Sequence, residues 1–114
     1  MKIARIEDRE GRRVWAALDD EAQSLQRIGA PFGEWAPLLH ERGPDVLELA
    51  GQVESLSDVR LLAPVDERAR IFGVGLNYLS HLTRLGRSKP PPHTIGYIKP
   101  QSAIVGPGEK IAYP

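Results

Sequence analysis

Three consecutive prolines, Pro90-Pro91-Pro92, limit what the chain around them can become. Each one removes a backbone donor and fixes φ, so neither a helix nor a paired strand can run through them, and Arg87 to His93 is expected to be a loop of extended, polyproline character. The elements on either side must therefore be short. Before the loop, Ile71-Phe72-Gly73-Val74-Gly75 reads as an apolar, glycine-rich strand, and Asn77 to Leu85 as a short helix stopped by Gly86. After it, Ile95 to Lys99 resumes strand character up to Pro100. Ala103-Ile104-Val105 then leads into a Gly106-Pro107-Gly108 turn, followed by Lys110 to Tyr113.

The first part of the chain is patterned differently. Ile3 and Ile6, a charged turn at Arg9-Glu10-Gly11-Arg12, and Val14-Trp15-Ala16-Ala17-Leu18 predict a hairpin, and Ser24 to Ile28 alternates like a third strand that ends at Gly29 and Pro31. Trp35, Leu38 and Leu39 share a helical face over Glu34 to Glu41, with Pro37 tolerable only in the first turn. A second helix is predicted from Asp45, whose spacing to Glu48 is that of a capping box, with Val46, Leu49, Ala50 and Val53 as its stripe. Val59 to Ala63 reads as a strand stopped by Pro64, and the polar run Val65 to Arg68 as a connection. These readings give an α+β fold that is mostly β: a small N-terminal domain over residues 1–65, with Trp15 and Trp35 as core anchors, and a second domain beginning in residues 66–114.

Composition excludes several classes. Fifteen basic and fifteen acidic residues give a formal net charge of zero, so the chain as a whole lacks the field of a nucleic-acid binder. There is no cysteine, hence no disulfide and no thiolate metal site. The first residues carry charges where a secretory signal would be apolar, and no stretch approaches the roughly 18 apolar residues of a membrane span. The expectation is a cytoplasmic protein with no nucleic-acid or membrane partner.

Chemistry has few places to sit. Gly73-Val74-Gly75 invites comparison with a dinucleotide-binding turn, but the third glycine of that fingerprint would fall at Tyr78, so the bland reading is a buried strand whose glycines permit close backbone packing. Tyr78 and His81 are three apart and would share a helical face, and His81 has the proton affinity of a general base near neutral pH. His40 reads as a surface residue, and His93 as part of the proline-rich loop.

Taken together, Gly73-Val74-Gly75-Leu76-Asn77-Tyr78-Leu79-Ser80-His81, the proline-rich loop, Ile98-Lys99-Pro100-Gln101-Ser102-Ala103, Val105-Gly106-Pro107-Gly108 and Pro114 resemble the fumarylacetoacetate hydrolase family. The resemblance is specific over residues 69–114 and vague over 1–65. It implies a β-rich roll holding Mg²⁺ or Mn²⁺ through carboxylates, homodimeric assembly, and chemistry on small 2-oxo or β-diketo acids: acylpyruvate cleavage, decarboxylation, or dienoate isomerisation and hydration, each through a metal-stabilised enolate. His81 corresponds to the family's catalytic histidine and Lys99 to a lysine near the substrate, and the proline-rich loop takes the place of an active-site lid. Tyr78 and Ser102 are expected to help hold a carboxylic-acid substrate.

Two departures qualify what the resemblance implies. Hydrolytic members pair the histidine with a glutamate three residues on. Here that residue is Arg84, which cannot accept a proton but can grip a substrate carboxylate. The family's metal carboxylates lie beyond the matching region, so no metal ligand is assigned in this segment. Glu109, the only acidic residue after Glu67, is expected to face solvent. A non-catalytic subunit or remnant, pairing with a complete homologue through open sheet edges, is the alternative.

Overall fold

A computed structural model describes residues 1–113, so Pro114, the last of the quoted motif residues, lies outside the described part. The fold is α+β and mostly β. In chain order the elements are β1 (Lys2–Glu7), β2 (Arg13–Asp19), β3 (Ser24–Ile28), α1 (Phe32–Arg42), β4 (Leu49–Ser55), β5 (Arg60–Leu62), β6 (Ile71–Gly75), α2 (Leu79–Arg84) and β7 (Ile95–Lys99). They divide between two compact units, Glu67–Ile104 and the remainder, which comprises Met1–Asp66 and the segment from Val105 onward.

The first unit is a five-stranded antiparallel sheet in the order β4-β3-β2-β1-β5. Period-two alternation decides its two faces. Ile6, Ala16 and Leu25 lie on one face, under Leu56, Val59 and Leu61. Ile28 lies on the other and meets Trp35 of α1 and Leu47. On that second face Trp15 stacks on Phe32 at 4.8 Å between ring centroids, and Trp35 meets both edge-on. Trp35 is thus buried as the core anchor expected of it and Trp15 packs against it half-buried, while the Trp35 Nε1 has no hydrogen-bond partner among the described residues.

α1 begins two residues before the expected start, which makes Pro37 its sixth residue instead of a first-turn one. The missing donor leaves the Gly33 carbonyl without its helical partner, but both residues are exposed, so water can serve it. The second predicted helix does not form. Gly43–Val46 is a single 3-10 turn that takes up Val46, and the other apolar residues meant for the helical stripe, Leu49, Ala50 and Val53, belong to β4, paired on β3 with Leu49 opposite Ile28 and Ala50 opposite Arg27. Gly51 has φ +74, which a right-handed helix cannot contain, and the exposed edge of β3 offers the segment backbone partners that a capping box alone does not outweigh.

Both sheet edges are blunted. On β4, Gly51, Gln52 and Val53 bulge opposite the single residue Gln26, whose side-chain amide donates to the Gly51 carbonyl at 3.1 Å. Beside β5 lies the Gly106 turn, so close that a Cβ there would stand 3.3 Å from the Leu61 carbonyl oxygen. Glu109 fastens this turn. One carboxylate oxygen accepts from the Gly106 N–H at 2.8 Å, and the other accepts from Arg60 at 2.6 Å, so Glu109 has a structural task and not only solvent around it.

One polar group holds the interior of this unit. Asp8 is the only buried charged residue among those described, and its carboxylate accepts from the Glu10 and Arg12 backbone N–H groups and from the Arg12 and Arg27 side chains. Arg27 also grips both Glu54 oxygens, at 2.5 and 2.9 Å. Burial alone would raise the Asp8 pKa, but the donors, Arg27 first, outweigh it and hold the carboxyl well below the usual range. Glu54 is lowered chiefly by its bond from Arg27, and Glu7 by bonds from Arg60 and Arg13.

All three shifts are downward, so the stability they confer is complete above the unfolded values near pH 4 and is lost as pH falls toward the folded ones. The thermal midpoint of the chain, followed by circular dichroism, is expected to fall between pH 5 and pH 3. Arg27→Ala is expected to cost roughly 2–4 kcal/mol at pH 7 and to flatten part of that pH dependence, since it leaves Asp8 buried with fewer donors. Equal pH slopes in the variant and the parent would contradict this account.

Candidate active site

The second unit carries the residues singled out for chemistry. β6 and β7 pair antiparallel, with Phe72 opposite Ile98, Gly73 opposite Tyr97 and Gly75 opposite Ile95. Contrary to the reading of a buried strand, this ribbon is open. Phe72 is 70% exposed, and Val74, Ile95 and Ile98 are exposed as well. Gly73 accommodates a side chain instead of a neighbouring backbone: a Cβ built on it would fall 2.3–2.5 Å from ring carbons and the hydroxyl of Tyr97. Only glycine leaves room for that ring to lie across the strand.

From β6 the chain turns sharply. Leu76 sits at φ +52, a left-handed conformation that a leucine adopts only at a cost of about 1 kcal/mol or more. Asn77 and Tyr78 follow before α2 begins at Leu79. Tyr78 is the N-cap in extended geometry, so it does not share a helical face with His81 as the spacing suggested. It contributes its carbonyl, which accepts from the His81 and Leu82 N–H groups. α2 is anchored by Leu82, 1% exposed, which leaves His81 and Arg84 exposed at a spacing that puts them on one face. The helix ends at Gly86, φ +70, with the Arg87 N–H donating back to the Leu82 carbonyl.

Lys99 closes β7, and Ser102 lies in the 3-10 turn Gln101–Ala103 just beyond it. Strand alternation places Lys99 and Tyr97 on the same face of β7, two residues apart. Among the described residues, none of the side chains of Tyr78, His81, Arg84, Tyr97, Lys99 and Ser102 is held by another residue's hydrogen bond or ion pair, and all six residues are exposed. The unit therefore displays two groups of uncommitted polar side chains. One stands on the turn and helix after β6, and the other at the end of β7. A phenol, an imidazole, a guanidinium and an ammonium left free in this way can donate to carboxylates, and the imidazole can take a proton.

Tyr97 is the residue that sequence reasoning missed. The available signal was Gly73, whose need for space on one side was read as backbone packing. Nothing in the sequence marks Leu76 as left-handed.

A divalent-cation site of the kind the resemblance implies does not fit the described residues. They contain no cluster of three or more His, Asp or Glu side chains able to hold an ion. Glu109, the one acidic residue after Glu67, is already engaged by Arg60 and the Gly106 N–H. Among the described residues, no helix is long and apolar enough to cross a membrane.

Comparisons with known proteins divide the chain near residue 65, and the second match runs on through the segment from Val105 that belongs to the first structural unit. Residues 70–114 match the family model described as fumarylacetoacetate (FAA) hydrolase C-terminal, and residues 1–64 match the one described as Rv2993c-like, N-terminal. Protein Rv2993c of Mycobacterium tuberculosis is 32% identical over all 114 residues, which cover 40% of that protein. A solved structure of an uncharacterised protein from Mycobacterium abscessus superposes with a TM-score of 0.65 at 29% identity, over the whole of this chain and 39% of that one. The chain thus spans about two-fifths of the length of the relatives it matches.

The Gly73–Tyr97 contact makes a prediction. Gly73→Ala should destabilise the chain by no more than about 1 kcal/mol, since the half-exposed Tyr97 ring can swing off the strand to admit the methyl group, and the penalty should largely vanish in a Tyr97→Ala background, where the ring is gone. Denaturant unfolding of the four members of this double-mutant cycle measures it. Additive penalties would mean that the ring is not what excludes the methyl group.

Proposed function

The chain belongs to the fumarylacetoacetate hydrolase family, and from that premise we propose that it is the N-terminal part of a metal-dependent enzyme acting on small 2-oxo or β-diketo acids. The observation that carries this reading is the uncommitted state of the motif residues. His81, Arg84 and Lys99 are exposed, and none is paired to another described residue, an arrangement suited to an external anion and not to the protein's own charges. On this reading the imidazole of His81 accepts the proton, Lys99 and Arg84 hold carboxylates, Tyr78, Tyr97 and Ser102 offer hydrogen bonds, and the chain works in the cytoplasm as a homodimer. Mg²⁺ or Mn²⁺ would be held by carboxylates that follow residue 114, and its role when bound is to stabilise enolate charge.

Arg84 bears on which reaction is run. Hydrolysis in this family enlists a glutamate at that position to activate water, and a guanidinium cannot do so. Decarboxylation or isomerisation, which need no such base, is therefore favoured over acylpyruvate hydrolysis. The alternative, a non-catalytic partner of a complete homologue, draws its support from the described residues' lack of a cation-holding cluster.

The test is a substrate screen on the natural protein with Mg²⁺ supplied. Turnover of 2-oxo dicarboxylates is expected, and His81→Ala should lower kcat by roughly 10²-fold or more without moving the thermal midpoint. Turnover that survives His81→Ala unchanged would remove the assigned base. A protein that never turns over but binds a full-length homologue would favour the partner reading.

A further inference from the structure

Register fixes which side chains share a face of the β6–β7 ribbon. Directly opposed residues of an antiparallel pair project to the same side, so Ile71 and Lys99, Gly73 and Tyr97, and Gly75 and Ile95 stand together on one face. With two glycines on β6, the surface there is made mainly by the β7 row of Ile95, Tyr97 and Lys99. The attitude of the Tyr97 ring follows from what a methyl group on Gly73 would meet. It would lie 2.3 Å from Cζ and 2.5 Å from two of the atoms bonded to Cζ, namely Cε2 and the hydroxyl oxygen. A point beside the ring edge would be farther from Cζ than from those two neighbours, so the methyl position lies over the face of the ring. Gly73 therefore seats Tyr97 face-on. The opposite face of the ring points away from the strand, and the residue keeps 47% exposure.

We propose that this outward face of Tyr97 is a stacking platform for the planar, conjugated body of a carboxylic acid, and that Lys99 takes the carboxylate. A ring already seated on a glycine loses little freedom when a second planar group covers it. Lys99 is exposed, is held by no other described residue, and follows Tyr97 in the same row at about 7 Å, twice the ordinary strand rise. On the other side Ile95, 45% exposed, extends the row with apolar surface. The row thus has a direction: a cation at one end, an aromatic face in the middle and an aliphatic group beyond it, the order in which a short amphipathic acid presents its complements. The wider charge agrees, since six of the seven charged side chains in residues 67–104 are basic. Offset stacking on an aromatic face favours a flat π system over a saturated chain of the same length. The inference deepens the enzymatic reading, on which the role of Lys99 rests, by naming the substrate class: a dienoate, an enolised 2-oxo acid or an aryl acid in preference to a saturated one.

Sorbate and hexanoate, carboxylates of equal length and charge that differ in conjugation, test this by NMR titration of the intact chain without metal. Sorbate is expected to bind roughly three to ten times more tightly, with upfield ring-current shifts of its diene protons and perturbation of the Gly73 amide. Tyr97→Phe should keep that preference and Tyr97→Leu should abolish it, circular dichroism confirming that each variant is folded. Lys99→Gln should weaken both acids alike. Equal binding of the two acids by the parent chain overturns the proposal, and so does a preference that survives Tyr97→Leu or a failure of either acid to bind. Binding is read without turnover, so the two readings fail separately. Selective binding by a protein that is inactive in the substrate screen keeps the platform and removes the enzyme, whereas turnover with no preference for the conjugated acid does the reverse.

Discussion

Asp8 is the group on which the rest of the N-terminal sheet depends. A carboxylate taken out of water is unfavourable unless every lone pair is met, and here the loop between β1 and β2 curls so that two of its own N–H groups meet one oxygen. The other oxygen accepts from Arg12 and from Arg27, and Arg27 reaches on to Glu54. One buried charge therefore ties β1 and β2 to β3, and β3 to β4, across the face that also buries Ile6, Ala16 and Leu25. The apolar pattern would be met equally well by a strand shifted two residues in register. The ion network would not, because only one register brings Arg27 between Asp8 and Glu54. Hydrophobic alternation gives the sheet its layers, and the buried charges give it a unique alignment.

That division explains how much could be read from the sequence. Punctuation by glycine and proline and the alternation of apolar residues locate β1, β2, β3 and β5 to β7, the helix after Pro31 and the short helix after Tyr78, because those signals are local. β4 was misread for the same reason. The spacing of Val46, Leu49, Ala50 and Val53 fits a helix taken alone, and only the unpaired edge of β3, a non-local fact, turns the segment into a strand. Gly51 carried a local warning, and its positive φ is now seen to belong to a bulge. Glu109 was likewise read from its turn alone, when its partner Arg60 lies 49 residues away.

The candidate site shows the same limit. His81, Arg84 and Lys99 can be singled out from the sequence as candidates because they stand in or beside recognisable motifs. Tyr97 cannot, since its place depends on the β6–β7 register that sets it over Gly73. Strain at Leu76 was equally hidden. A leucine held left-handed between Gly75 and Asn77 bends the chain, and α2 begins three residues after this bend.

The two kinds of residue differ in what they require of their surroundings. In the N-terminal unit the polar groups are spent on one another, as in the chain Glu54–Arg27–Asp8–Arg12 and the chain Arg13–Glu7–Arg60–Glu109. In the second unit the motif side chains are left without such partners, although six of its seven charged residues are cationic. Exposed cations such as Arg84, Arg87, Lys89 and Lys99 repel one another weakly through solvent, and an anion bound among them would relieve that repulsion. On the proposed reading that anion is the substrate carboxylate, and Arg84 contributes to the field that attracts it at the position where a hydrolytic relative would place a negative charge. Replacing a glutamate by an arginine there changes the local charge by two units: on the proposed reading it would strengthen binding of an acidic substrate while removing the group that would activate water. The direction of that trade is what makes a reaction without a water nucleophile the more consistent assignment for this chain.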